Sequence, residues 1–218
     1  MADATLVRLG LIAEQRWGLV STAQAESVGV SRKQLSRMAR AGALERVAQG
    51  VYRISGAPPH VLEAVYATWL ALGGAQETRS TSGVAPVVAA GSTAAVVHGI
   101  GDFSLDGLDF VVPRRKGTRL AGVRLRIRDL CPEEVLPVDG LPTLTVERTI
   151  VDLIDIGTDL SLVADALRDA VRADKLLAPD RLVRHLSTAA THRTGSAAAL
   201  ARDLFERAGV VPEGWAHV

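Results

Sequence analysis

"GLVSTAQAESVGVSRKQLSRMARAGALERVAQGVYRIS", residues 18–55, carries two helix-start signals, a short turn and a hairpin signal in succession. Ser21 followed by Gln24, and Ser31 followed by Gln34, both fit the capping box. There the hydroxyl accepts from the backbone N–H three residues on and the glutamine reaches back. Each box has an apolar residue just ahead of it, so Val20 can staple onto Ala25 and Val30 onto Leu35. Two helices starting near Thr22 and Arg32 are predicted, with Gly29 breaking the chain between them, which is the skeleton of a helix-turn-helix.

At about 100° per residue, Leu35, Met38, Ala39 and Gly42 fall on one side of the second helix, and Arg32, Lys33, Ser36, Arg37 and Arg40 on the other. The apolar stripe packs on the first helices, including "LVRLGLIAEQ", and a cationic, hydrogen-bonding face suited to a DNA major groove points outward. Gly42 ends the helix, and "LERVAQGVYRI" reads as a hairpin in which Val47 and Val51 flank a turn and Gly50 takes positive φ. This is an expected wing. Arg32, Lys33 and Gln34 are the expected base readers; Arg40, Arg46 and Arg53 are expected on phosphate. Gln49 and Tyr52 of the wing, with Thr22 and Ser31 at the two helix starts, complete the expected DNA-binding set.

Charge supports the assignment. Residues 1–57 hold eight Arg/Lys and four Asp/Glu, a net +4, whereas the remainder holds seventeen against twenty, a net −3. Such a split fits a basic module for a polyanion followed by an acidic module with another task. The chain of 218 residues, 48% hydrophobic, is long enough for one large domain or two small ones. Its longest apolar runs, such as "VAPVVAA", are far short of the roughly 20 residues that span a bilayer. The start "MADATLVRLG" lacks a basic, apolar, cleavable pattern, so a soluble, cytoplasmic protein without membrane contact is expected. The single cysteine, Cys131, leaves no intramolecular disulfide and no cysteine metal cluster, as suits a reducing compartment.

A domain boundary is expected at residue 57, where "SGAPP" ends the wing; residues 1–57 form the winged helix-turn-helix and 58–218 a larger mixed α/β domain, an α+β fold overall. "HVLEAVYATWLALGG" is an amphipathic helix with Trp69 in the core, and Ser92–His98 a second helix ended by Gly99, with His98 a structural histidine. "LDFVVP" and "VRLRIRDL" are strands. In the second, Val123, Leu125 and Ile127 alternate with Arg124, Arg126 and Arg128, predicting a half-buried strand with a basic face. With Arg114, Arg115, Lys116 and Arg119 these arginines form a second cationic patch, open to DNA, to a partner protein, or to solvent alone. Further helices are expected over "DLSLVADALRDAVRADKLL", "PDRLVRHLSTAA" and "GSAAALARDLFERAG".

The stretch "VDGLPTLTVERTIVDLID" resembles the segment ending in an Arg-Thr-x-x-Asp-Leu signature that follows a winged helix-turn-helix in the AbiEi family of bacterial antitoxins. The signature here is Arg148, Thr149, Asp152 and Leu153, and the "STAAVVHGI" helix and "LERVAQGVYRI" wing extend the resemblance to about residue 180. It implies a two-domain antitoxin of a type IV toxin-antitoxin pair. The N-terminal domain would repress its own operon at promoter inverted repeats, and the C-terminal domain would counter a nucleotidyltransferase-like toxin. Arg148 and Asp152 lie four apart on a helix begun by Thr145, so a surface-type salt bridge between them is the expected role.

Two other readings of the same architecture are a stand-alone winged-helix regulator with a ligand-sensing domain and the front part of a restriction-type nuclease. The nuclease needs an acidic residue followed by Glu-x-Lys to hold a metal, and the chain has no Glu-x-Lys. It also lacks a GxxxxGK[ST] loop, His-Glu-x-x-His and G-x-S-x-G, so neither enzymatic activity nor a cofactor or metal is expected.

Overall fold

The computed structural model describes residues 2–75, 83–190 and 197–210. The chain divides into two compact units, Met1–Thr78 with Gly117–Ala121, and Arg79–Lys116 with Gly122–Val218.

The first unit runs α1 (Ala2–Glu14), β1 (Leu19–Ser21), α2 (Thr22–Ser27), α3 (Arg32–Arg40), β2 (Leu44–Ala48), β3 (Val51–Ile54) and α4 (Glu63–Ala71). Both capping boxes form, with Ser21 and Ser31 each accepting from a glutamine backbone N–H three residues on. The residues around each cap also pack as a staple requires, since Val20, Ala25, Val30 and Leu35 share one apolar cluster with Leu9 and Leu44. Burying Leu35 completely contributes roughly 2 kcal/mol and fixes which side of α3 faces inward.

The wing is the β2–β3 hairpin, and β1, a strand without a local sequence signal, adds to it as a third antiparallel strand in the order β1-β3-β2. The turn is Gln49–Gly50, closed by the Ala48–Val51 pair, and Val47 falls in an irregularity between Arg46 and Ala48 instead of flanking the turn. Gly50 has φ +73°, and its carbonyl accepts from both the backbone N–H and the hydroxyl of Thr22, at 2.7 and 3.0 Å. The wing tip is thereby tied to the start of α2.

This unit extends beyond the expected boundary at residue 57 because α4 packs on all three strands of the wing sheet. Tyr66, fully buried, stacks on Trp17 with ring centroids 3.8 Å apart and planes 4° from parallel, while Trp69 meets the same indole edge-on. Pro58 and Pro59 therefore lie in a short irregular connection inside the unit rather than in a linker between units.

The second unit contains β4 (Val88–Ala89), α5 (Gly91–His98), β5 (Leu108–Val112), β6 (Val123–Ile127), β7 (Val135–Val138) and β8 (Leu141–Leu144), then α6 (Val146–Asp155), α7 (Leu160–Arg172), α8 (Pro179–Ala190) and α9 (Ala197–Ala208). Its mixed sheet has the order β6-β5-β4-β8-β7. β5 and β6 are parallel neighbours, as are β4 and β8; the β7–β8 hairpin turns at Asp139–Gly140, both with positive φ, the geometry that an Asp-Gly pair favours. α6 packs on α8 and α7 on α9, around a core that includes Ile150, Leu153, Val163, Leu167, Leu186 and Leu204. His98 is buried, with Nε2 2.7 Å from the carbonyl of Leu144, a structural role. No helix among the described residues is long and apolar enough to cross a membrane.

Candidate nucleic-acid interface

The outward face of α3 follows from what its other face buries. With Leu35 inside and Met38 and Ala39 packed beside it, Lys33, Arg37 and Arg40 are left exposed. None of the three makes an ion pair among the described residues, so each ammonium or guanidinium is available to an external anion. Arg32 is also exposed and donates from Nε to Glu26 on α2 at 2.9 Å, a pair so open to water that it contributes at most about 1 kcal/mol and yields readily to a stronger anion. Ser36 is half-buried on the same helix.

Five expected contacts have other duties. Arg53 does not present its charge to a phosphate, because its guanidinium is clamped between Glu45 on β2 and Glu63 on α4, the latter at 2.6 Å, and its side chain is only 14% exposed. Its distant partner Glu63 enters the unit only because α4 folds back, which explains why local spacing did not reveal the clamp. Gln34 uses its side-chain oxygen in the capping box, accepting from the backbone N–H of Ser31 at 2.8 Å and from its hydroxyl at 2.9 Å, so its amide NH2 alone remains for a base edge. Tyr52 is half-buried against the Leu35 cluster. Thr22 and Ser31 act as the wing tie and the α3 cap respectively. Arg46 and Gln49 are exposed on the wing, Arg46 making one weak bond from Nε to the carbonyl of Ala48 at 3.4 Å.

The second cationic patch separates into two parts with different chemistry. The arginines of β6 and the residue after it do not form a free basic face. Arg124 makes a two-pronged contact with Asp109, Nε to Oδ1 at 2.9 Å and Nη2 to Oδ2 at 2.8 Å. Arg126 pairs with Asp152 and lies 3.5 Å from Asp109; Arg128 reaches Asp152 at 2.8 Å and Asp155 at 3.2 Å. The physical reason is that Asp109 and Asp152 are 1% and 0% exposed, and buried carboxylates on this side of the sheet demand cations. Burial acts to raise the Asp109 carboxyl, but Arg124, Ser92 and Arg126 together outweigh it and hold the group below its usual range. For Asp152 burial prevails and pushes the carboxyl up, against the pull of Arg126, Arg128 and the Gly91 N–H. The apolar alternation of β6 also fails as a burial pattern, since Ile127 is 61% exposed at the sheet edge. Arg114, Arg115, Lys116 and Arg119, by contrast, are exposed on the connection between β5 and β6, with no ion pair among the described residues.

The expected Arg148–Asp152 bridge is replaced by a wider network. Arg148 reaches Asp155, seven residues on, at 3.1 Å, and approaches Glu134 at 3.7 Å. Asp152 instead accepts from Arg126, Arg128 and the backbone N–H of Gly91 at 2.8 Å, capping the start of α5. Gly91 has φ +51°, and a Cβ there would sit 3.1 Å from the Asp109 carboxylate and 3.2 Å from Arg126. Thr149 donates its hydroxyl to the Leu144 carbonyl at 3.3 Å, and Leu153 is fully buried. The Arg-Thr-x-x-Asp-Leu signature is thus a structural knot joining α5, β6 and α6.

Residues 8–55 match a family model described as "Transcriptional regulator, AbiEi antitoxin". Among solved structures, the crystal structure of the RV2827C protein from Mycobacterium tuberculosis is similar, with a TM-score of 0.55 and 20% identity over 94% of this chain and 78% of that chain. At that identity the likeness is one of fold. No curated protein matches. The helix-turn-helix and wing described above occupy the segment that this family model matches.

Proposed function

We propose that the first unit binds duplex DNA with α3 in the major groove and the wing against the backbone, and that the protein is an antitoxin that represses its own operon. The observation that carries this reading is the exposed trio Lys33, Arg37 and Arg40, without an ion pair among the described residues, on a helix whose opposite side is anchored by Leu35. Arg32 and Lys33 at the helix start are the base readers, with the Gln34 amide beside them; Arg40 and Arg46 contact phosphate. Autorepression at inverted repeats, and the countering of a nucleotidyltransferase-like toxin by the second unit, rest on the family description of residues 8–55 and on the signature at Arg148–Leu153. The chain acts by binding and not by catalysis, with no cofactor. A footprint of the purified protein on the DNA upstream of its own gene tests the reading directly. Protection of two inversely repeated half-sites is expected. Protection no different from that of unrelated duplex would end it.

A further inference from the structure

We infer that the connection between β5 and β6, residues 113–122, is a second DNA contact that grips phosphates; the inference rests on the DNA-binding reading above. The segment reads "PRRKGTRLAG", and no acidic residue occurs anywhere from Phe110 to Arg128. Two properties separate it from the rest of that basic stretch.

First, the internal carboxylates are taken. Asp109, Asp152 and Asp155 are engaged by Arg124, Arg126 and Arg128, while Arg114, Arg115, Lys116 and Arg119 have no ion pair among the described residues. Second, these four cations are all exposed, on a ten-residue connection that contains no helix, and Gly117 at its middle has no atom within 4 Å of where a Cβ would stand.

The chemistry of the segment selects the partner. A protein interface needs apolar or aromatic anchors at its centre and is depleted in lysine. Here the exposed side chains from 114 to 119 are three arginines, a lysine and a threonine around a glycine, with no apolar anchor among them. Such a run suits a row of phosphates, where each cation displaces a condensed counterion and no base is read.

The test is a set of salt titrations of the full chain on its own upstream DNA and on unrelated duplex, with the quadruple variant Arg114→Gln, Arg115→Gln, Lys116→Gln and Arg119→Gln. The slope of log K against log salt is expected to fall by about 2 to 4, at about 0.9 per phosphate released, with the ratio of specific to unrelated binding unchanged. A companion variant with Arg114→Lys, Arg115→Lys and Arg119→Lys keeps the charge and is expected to keep the wild-type slope. An unchanged slope in the glutamine variant overturns the inference, and if that variant also loses a protein bound by the wild type, the loop belongs to that partner. A slope that falls equally in the lysine variant overturns the phosphate assignment. Failure of the wild type to bind any duplex removes the DNA-binding reading itself, a result distinguishable from failure of the loop alone.

Discussion

Asp152 has no solvent exposure, yet two guanidinium groups and a backbone N–H converge on it. A buried carboxylate so surrounded is weak evidence of net stabilisation, but removing it alone leaves the cations and the α5 amide without their acceptor. Asp152→Ala is expected to destabilise the second unit by about 3 kcal/mol, at the lower end for a broken buried pair because Arg126 and Arg128 remain 24% and 28% exposed and regain water. Urea unfolding followed by circular dichroism checks this; a loss under 1 kcal/mol would show that the knot is dispensable. On the other unit, Arg37 and Arg53 differ in the same physical terms. Arg37 is exposed and without an ion pair among the described residues, so Arg37→Ala should weaken operator binding by about 1 to 3 kcal/mol in anisotropy titrations at fixed salt while leaving the unfolding midpoint in place. Arg53→Ala should do the reverse, lowering the midpoint by releasing Glu45 and Glu63 while changing the salt slope little. The pair of variants separates a groove contact from a structural clamp, and equal effects from both would erase that distinction.

At the scale of elements, the helix-turn-helix depends on two reciprocal caps. Ser31 accepts from the Gln34 N–H at 3.3 Å, and Ser31→Ala removes that acceptor while the Gln34 side chain still accepts from the residue-31 backbone. The expected loss is about 1 kcal/mol, read by urea unfolding with tryptophan fluorescence, since Trp17 and Trp69 both lie in this unit. An unaltered midpoint would mean that packing of Leu35 alone sets where α3 begins. These caps were legible in the sequence because Ser-x-x-Gln is a contact between residues three apart, complete without any distant partner. β1 was not legible: at three residues, "LVS" is too short to show alternation, and it becomes a strand only because β3 arrives beside it. The same distinction explains β6. Its alternation was plain, but the face it buries is decided by Asp109 and Asp152, which come from β5 and α6. The Asp-Gly turn at 139–140, by contrast, is a local signal for the β7–β8 hairpin, contained wholly in two adjacent residues.

Across the whole molecule, the boundary shift from residue 57 to beyond α4 has one cause: the Trp17–Tyr66 stack spans 49 positions of sequence and no local pattern announces it. The exposed cationic surface of the first unit was legible to the extent that it depended on one helix, and not where, as at Arg53, a carboxylate from elsewhere closed on the cation. Folding also gives the chain a pH signature. Burial lowers the His98 imidazole below its ordinary value of about 6.5, against the Leu144 carbonyl, while Lys175 adds to the lowering. As pH falls through 6.5 the unfolded chain takes up this proton before the folded one does, so stability is full above that value and declines below it until the folded imidazole titrates. Asp109 acts in a lower window, because its folded carboxyl lies below the usual 3.8, and its contribution is present above that value and lost as pH falls further. Asp152, raised, has the opposite sign. His98 is isolated by the variant His98→Gln, whose amide can still donate to Leu144 but cannot charge. Urea midpoints measured from pH 7.5 to 5.5 are expected to fall for the wild type, with a slope no steeper than about 1.4 kcal/mol per pH unit from this one proton, and to fall less for the variant. Parallel declines in the two proteins would transfer the acid sensitivity to other groups and leave His98 with only its hydrogen bond.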